Sequence, residues 1–499
     1  MSTKGKRKIW KRLLIILASF FGLLLLAVVG LVHFKKDELI SQALNQFNAG
    51  VPGRVAIEET RISPFENFPY VSIDLRHIQV YESKTASEAI IDIDDAYIGF
   101  DLWSIVQGTY DVKKIKLSNG FVKLIQHTDG SLNMTDALTT QQDEPTASPE
   151  AESTMHLNLQ TIELQNIDLL KINEANNILA EVFIEEIQSS YSMSDKHIKA
   201  EFDSRMLFNL ILDGDTSFLH DKHLSLSTGI DYDLEKGILA LTPSELLIEK
   251  ASFLMEGAID VANDLNLDLR FSGQKPNFDL FLAFVPEEFS PLLDRYDNGG
   301  SVFFDASVNG SAAYGKSPHI EVDFGCAEAF IENTEVEKGV NDLYFKGHFT
   351  NGELNAPSTM SLTIEDFRAR PETGTFTGAV SVDNFESPDI QMQVTSEFNL
   401  DFLTDFLSLE SLQDVSGKVS LDMNFHDIVD LNDPTKTIER LNESYYTELK
   451  VENLNFTSPD FHLPFRNVNI HAAMDGHRAI VDQFSLNMGG SDVSITGSI

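Results

Sequence analysis

One octapeptide in this chain has the spacing of a phosphate-binding loop. Gly310-Ser-Ala-Ala-Tyr-Gly315-Lys316-Ser317 fits GxxxxGK[ST], in which backbone N–H groups cradle phosphates and the lysine meets their charge. That chemistry requires a helix to begin at the lysine, so that its N-terminus faces the anion. Here Pro318 follows and His319 to Phe324 alternates like a strand, so the stretch is expected to be a Gly-rich hairpin between two strands. His220 and His223, beside Asp221, have metal-ligand spacing for a helix, but neither a third ligand nor a helical frame accompanies them. They are expected to be exposed loop histidines. Asp92, Asp94 and Asp95 lack the glycine turn and remaining ligands of a calcium loop, and are expected on the wet side of a strand. Cys326 is the only cysteine, which rules out an internal disulfide or a multi-cysteine metal centre. No GxSxG, HExxH or CxxC occurs. Paired carboxylates discriminate nothing among 77 acidic residues. No residue stands out as catalytic, cofactor-binding or metal-binding, and the expectation is a protein that is not an enzyme.

The elements that carry the chain are more telling. Leu13 to Val32 is an unbroken apolar run of 20 residues with Ser19 as its only polar side chain. As a helix it would be roughly 30 Å long, the thickness of a bilayer's hydrocarbon core. Lys4, Lys6, Arg7, Lys8, Lys11 and Arg12 precede it with no acidic residue among them, which keeps the N-terminus cytoplasmic and sends the chain after Phe34 across the membrane. A cleavable signal peptide is the competing reading. Its apolar stretch would be about 7–15 residues and end in a small-x-small site, which is not found after Val32, so a retained anchor is expected. The first twelve residues carry +6 of a formal charge of −40, leaving −46 on the rest. Such a body has no electrostatic basis for binding nucleic acid, and its acidity is that of a large solvated surface.

Asp37 to Phe47 has the spacing of a short amphipathic helix, with Gly50 placed to end it. Val55–Ile62, Val71–Tyr81, Ile90–Phe100 and Val112–Ile125 are expected strands, with one helical turn at Leu102–Val106 and a turn at Asp129-Gly130. Thr139 to Ser153 has almost no apolar side chain and two prolines, which suits a disordered linker or surface loop and marks the best domain boundary. Beyond Met155 the pattern has period two. Leu265, Leu267, Leu269 and Phe271 alternate with polar residues, as do Val302–Val308, Met360–Ile364 and Val419–Phe425. Such alternation places one sheet face against something apolar and the other in water. Roughly 28–30 strands at about 4.8 Å spacing are expected. Helical periodicity appears only at Asp279–Tyr296 and Leu400–Leu412. Each of these is followed by a glycine (Gly300, Gly417) and an alternating strand, which makes a degenerate internal repeat. Glycines inside the strand patterns at Ala251, Gly374 and Ser491 are expected to mark bulges or bends.

An anchor, a juxtamembrane helix and glycine-punctuated strands resemble the plan of the AsmA-like proteins, which include the TamB group. Ile62-Ser-Pro-Phe65 with Phe68 to Tyr81 is similar to the family's N-terminal segment. Ile115 to Leu124 with Asp129-Gly-Ser-Leu-Asn133 resembles its next strand pair and Gly-x-x-Asn turn, and Ile162 to Leu169 the strand that opens its middle region. The helix-Gly-strand units and the closing Gly-Gly-Ser-Asp-x-x-Ile-x-Gly497 also recur there. The motifs are short, but together they cover most of the chain. The chain departs from the pattern in stopping at Ile499, inside what reads as a strand.

The resemblance implies a mainly β protein: an N-terminal transmembrane helix, then an elongated, curved antiparallel β-sheet forming a half-pipe groove, with a few short helices. Residues 1–12 would be a cytoplasmic basic tail, 13–34 the anchor, 35–138 a membrane-proximal α+β cap, 139–154 a linker or loop, and 155–499 the repeat-containing β-groove body. It implies an inner-membrane protein whose body lies in the bacterial periplasm and conducts phospholipid toward the outer membrane, or otherwise maintains outer-membrane assembly. The partners implied are phospholipid, the inner membrane and other envelope proteins, with no cofactor and no nucleic acid. The alternating residues Leu267, Leu269, Phe304, Val308, Leu421 and Phe425 are the candidate groove lining. The alternative is a membrane-tethered β-sandwich interaction module with no lipid cargo, because closed sheets bury the same alternating residues.

Overall fold

The computed structural model describes residues 44–498 apart from 46–47, 64–69, 108–109, 140–154, 175–177, 195, 213–214, 217–218, 264, 286–289, 314, 410–412, 429–445, 459–462 and 476–477. The Leu13–Val32 run, most of the Asp37–Phe47 segment and nearly all of 139–154 lie outside the described residues. Among those described, no helix is long and apolar enough to cross a membrane. The chain divides into two units, Met1–Ser227 and Thr228–Ile499.

The first unit contains β1 (Arg54–Ser63), β2 (Tyr70–Tyr81), β3 (Ala89–Asp101), α1 (Leu102–Gln107), β4 (Tyr110–Gln126), α2 (Asn133–Leu138), β5 (Met155–Asn173), β6 (Ile178–Met193), β7 (His197–Leu212) and the two-residue β8 (Asp215–Thr216). The expected strands fall within a residue or two of these bounds, because period-two runs end at turn residues. Asp101 starts α1 by accepting the Ser104 N–H at 2.9 Å, the usual N-cap bond. β1 to β7 pair in chain order, antiparallel except at one place. β4 and β5 run parallel from Tyr110↔Met155 to Gln126↔Asn173, which corrects the wholly antiparallel expectation. Parallel neighbours need a crossover rather than a hairpin, and residues 127–154 supply it. α2 sits within that crossover. Its Ala137 is fully buried with Val80 and Ile90, against Val55 and Ile91. Fully buried Asn133 extends the ladder where β3 has ended: its Nδ2 donates to Lys123 O and its Oδ1 accepts the Ile125 N–H, both at 2.9 Å. The core of this sheet is Ile93, Ile167 and Ile184 on one face.

β9 (Lys222–Asp233) contains the division. The second unit continues with β10 (Ile238–Ile248), β11 (Ala251–Asp260), β12 (Asn266–Lys275), α3 (Asp279–Leu282), α4 (Ser290–Leu293), β13 (Tyr296–Ser311), β14 (His319–Asn333), β15 (Lys338–Thr350) and β16 (Ser361–Pro371). It ends with β17 (Gly374–Asp383), β18 (Asp389–Asn399), α5 (Leu400–Phe406), β19 (Gln413–Ile428), β20 (Tyr446–Thr457), β21 (Phe465–Asp475), β22 (Arg478–Met488) and β23 (Ser491–Ser498). From β10 to β23 each strand pairs antiparallel with the next in sequence. Twenty-three strands are described, fewer than expected, because most run 10 to 19 residues, well beyond the usual strand of about 5–6.

The two helix-Gly-strand units share a backbone device. Gly300 and Gly417, at φ +133° and +134°, sit at register shifts in β13 and β19. Each faces a strand that has just passed through a left-handed residue, Glu328 before Ala329 or Asn453 before Leu454. A Cβ added at Gly300 would come within 2.4 Å of the Ala329 Cα, and one at Gly417 within 2.7 Å of the Leu454 Cα. Only glycine fits so close an approach at such a φ. Gly257 of the Ala251 segment also lies beside a register shift, at φ +138°, whereas at the bulges of Asp342, Asp366, Asp414 and Asn467 the positive φ falls on a residue other than glycine. Asn and Asp tolerate this conformation through local side-chain hydrogen bonds. The backbone donors at two such positions are met across the ladder by side chains of the neighbouring strand: the Asn453 N–H donates to Asn469 Oδ1 at 2.9 Å, and the Asn467 N–H to Asn455 Oδ1 at 3.0 Å.

Candidate functional site

Residues directly opposite one another in a ladder share a face, so the register locates the six candidate residues relative to each other. Gly273 on β12 faces Phe304 on β13, and the series continues Phe324, Gly347, Ile364, Val380, Met392 and Phe425, crossing from β12 to β19 without a bulge. Phe304 and Phe425, far apart in sequence, therefore belong to one row. A second row runs Phe271, Ala306, Val322, Phe349, Leu362, Val382, Ile390. Leu269 faces Val308, Leu267 faces Gly310, and Leu421 faces Ser396 and Leu449. All six candidates thus lie on one face of the second unit, in two groups joined by apolar residues not singled out in the sequence. Period-two alternation in the intervening strands was the signal for those, but only the register shows that they connect.

None of the six is fully buried. All are half-buried, while Asp268, Arg270, Asp305, Asn309, Asp422 and Asn424 on the other side are exposed. The face is covered at one end of its strands by the two short helices. Leu280 of α3 is fully buried, and a Cβ at Gly273 would meet its side chain at 2.7 Å. Phe253, Phe284 and Phe304 form an aromatic group with centroids 5.3 to 6.1 Å apart, and Phe281 lies 5.9 and 5.8 Å from Phe324 and Phe345. Phe304 is therefore packed beneath the α3 segment rather than lining an open surface. α5 sets Leu400 and Leu403 on Phe398, Val419 and Val451. Its far end is pinned because Phe406 O accepts from Tyr296 Oη at 2.8 Å and Asn333 Nδ2 at 2.9 Å. Leu267, Leu269, Val308 and Phe425 lie further along their strands.

The other sequence motifs take ordinary structural places. Gly310–Ser317 joins antiparallel β13 and β14, with the Lys316 N–H donating to Ala313 O at 2.9 Å, and no helix starts there among the described residues. His220 Nδ1 lies 3.0 Å from Asp221 Oδ2, His223 is on β9, and no cluster able to hold a metal occurs among the described residues. Asp92 accepts from Gln79 Nε2 at 2.8 Å, Asp94 lies 3.3 Å from His77, and Asp95 lies 3.7 Å from Arg76. Cys326 is 1 % exposed on the apolar face, between Val302 and Phe345, and burial pushes its thiol up to about 11. A thiol so placed is a small packing group at neutral pH.

The sequence matches no family model and no curated protein.

Proposed function

We propose that this is an inner-membrane-anchored periplasmic protein whose apolar sheet face, curved into a half-pipe, binds phospholipid acyl chains and passes them toward the outer membrane, alongside other envelope proteins. The observation that carries the reading is the half-buried apolar face of the second unit, whose Gly273-to-Phe425 row runs unbroken from β12 to β19, with charged residues reaching that face by register only at its margins, Lys275 and Asp427. Covering such a face with acyl chains gains about 0.8 kcal/mol per buried methylene, while head groups stay in water. The basic tail and apolar run before residue 34, together with the resemblance to AsmA-like proteins, supply the anchor, the compartment and the direction.

Two experiments test it. Photo-reactive side chains at Leu269 and Leu421 of the full chain should cross-link phospholipid in native membranes, whereas one at exposed Asp268 should not. Equal yields at all three positions would defeat the groove. Reporter fusions at Ser83 and Thr146 should be active only in the periplasm, and cytoplasmic activity at both would overturn the topology. The sandwich reading draws on the helix-covered end, where Phe253 and Phe402 are 2 % and 3 % exposed. It requires the rest of the face to be sealed as well.

A further inference from the structure

The first unit has a pocket of about 470 Å³ on β4 to β7, on the side of the sheet away from the Ile93, Ile167 and Ile184 core. Its centre is a single cross-strand row: Phe121, Asp168, Phe183 and Leu207 face one another in register. The next row along the strands places Lys123 and Glu181 on either side of Leu170. Phe121 and Phe183 are 39 % and 37 % exposed, high values for phenylalanine. Strand spacing sets the Cα atoms of Phe121 and Phe183 about 9.6 Å apart, with the short Asp168 side chain on the strand between them.

We propose that this pocket binds a phosphoammonium zwitterion, the group shared by ethanolamine or choline phospholipid head groups and their soluble phosphoesters. A cation centred over Asp168 would lie about 4.8 Å from the strand that carries each phenylalanine, close enough for either side chain to bring its ring within the roughly 6 Å of a cation–ring contact. Lys123 is one row on, about 7 Å along the strand, on the side where the attached phosphate would fall. Among the described residues no hydrogen bond or ion pair joins the side chains of Lys123, Asp168 and Glu181 to each other or to any other group. Elsewhere on this sheet close opposite charges do pair, as Lys114 with Glu163 at 2.6 Å and Arg205 with Glu186 at 2.6 Å. The pocket thus holds two carboxylates and one ammonium apart, with Asp168 between the two exposed rings and Lys123 the only cation of the lining, so a zwitterion can set its ammonium at Asp168 and its phosphate at Lys123, on the β4 side away from Glu181. The site lies in the other unit from the six groove candidates and does not depend on the acyl-groove reading.

Calorimetric titration of the full chain in maltoside micelles with phosphoethanolamine and phosphocholine tests the site, with inorganic phosphate and tetramethylammonium titrated separately. At least one zwitterion should bind saturably and about tenfold or more tighter than either half alone. Asp168→Asn and Lys123→Gln should each weaken binding about tenfold, and Phe121→Leu or Phe183→Leu about three- to fivefold. Lys171→Gln, an exposed charge on the opposite face, should bind as the parent does. Melting temperatures of the variants should match the parent's, since the replaced side chains are not buried. Displacement of the bound phosphoester by phosphatidylethanolamine added to the micelles would identify a lipid head group as the natural source, and lack of displacement a soluble one. No saturable binding up to about 20 mM, or parental affinity in both charge variants, would overturn the proposal.

Discussion

Placing an aspartate at Leu269 asks whether the apolar face of the second unit is open or sealed. Leu269 is half-buried between Gly257 on β11 and Val308 on β13. Full burial of a leucine is worth about 1.5–3 kcal/mol, so losing half of it costs roughly 1 kcal/mol, and the poor strand propensity of aspartate adds up to about 1 kcal/mol more. On an open face the new carboxylate stays hydrated, and those are the whole cost. At about 2–4 °C per kcal/mol for a unit of this size, the melting temperature should fall by about 2–8 °C. Under a second layer the carboxylate would be buried without a partner and cost several kcal/mol more. Phe304→Asp is the internal standard, because its ring packs on Phe253 at 5.3 Å and Phe284 at 6.0 Å. Removing such a ring costs about 3–5 kcal/mol before the charge is counted. Thermal unfolding of both variants, paired with phospholipid cross-linking, should show Leu269→Asp folded and deficient in lipid, and Phe304→Asp strongly destabilised. Equal destabilisation of the two would mean a sealed face and refute the reasoning.

Three further outcomes follow from specific contacts. Asn333→Ala removes one of the two donors to Phe406 O and strands the Glu335 N–H, and should cost about 1–3 kcal/mol, with hydrogen exchange in α5 rising selectively; unchanged exchange would show that the Tyr296 bond and the apolar side hold α5 without it. Cys326, raised to about 11 by burial, should resist a maleimide at pH 8 until the protein is denatured, so rapid labelling of native protein would mean that its cover opens. Lys450, His471 and Tyr446 hold the Glu448 carboxyl down at about 2, so its contribution is full above the ordinary 4.5 and disappears as pH falls through 2. Glu448→Gln should flatten that stretch of the melting curve against pH, and an unaltered acid limb would exclude the pairing.

Strand positions were legible because alternation and turn residues act locally. Val71–Tyr81 was expected and Tyr70–Tyr81 is found. The helices were overestimated. Among the described residues, Asp279–Tyr296 contains two four-residue helices and Leu400–Leu412 yields Leu400–Phe406. Apolar spacing signals a helical face, but it does not show where tertiary packing stops the helix. Gly300 and Gly417 were correctly linked as a repeat, since only glycine suits their backbone. The bulges at Asp342 and Asp366 were invisible because acidic residues on a wet face look like any solvated strand. The division at Ser227/Thr228 falls inside a strand and leaves no compositional trace, while 139–154, the obvious boundary by composition, joins two neighbouring strands. The Phe121–Asp168–Phe183 row was missed for a different reason. Its members come from three strands, and only the parallel register of β4 on β5 brings them together.

The chain-order pairing of the second unit has a mechanical consequence. Among the described residues no strand from β10 to β23 returns to pair with a distant one, so each ladder is a single seam, and parting any one of them separates the strands on its two sides. β23 is held by one seam and its eight residues are all exposed. Tension applied at that margin would meet resistance one seam at a time and give a staircase of small ruptures rather than one large event. Stability in such an array is close to a sum of nearest-neighbour contributions. Amide exchange should accordingly grade from fast at β23 to slow in the strands crossed by α3 and α5, where a helix spans several seams and makes them yield together.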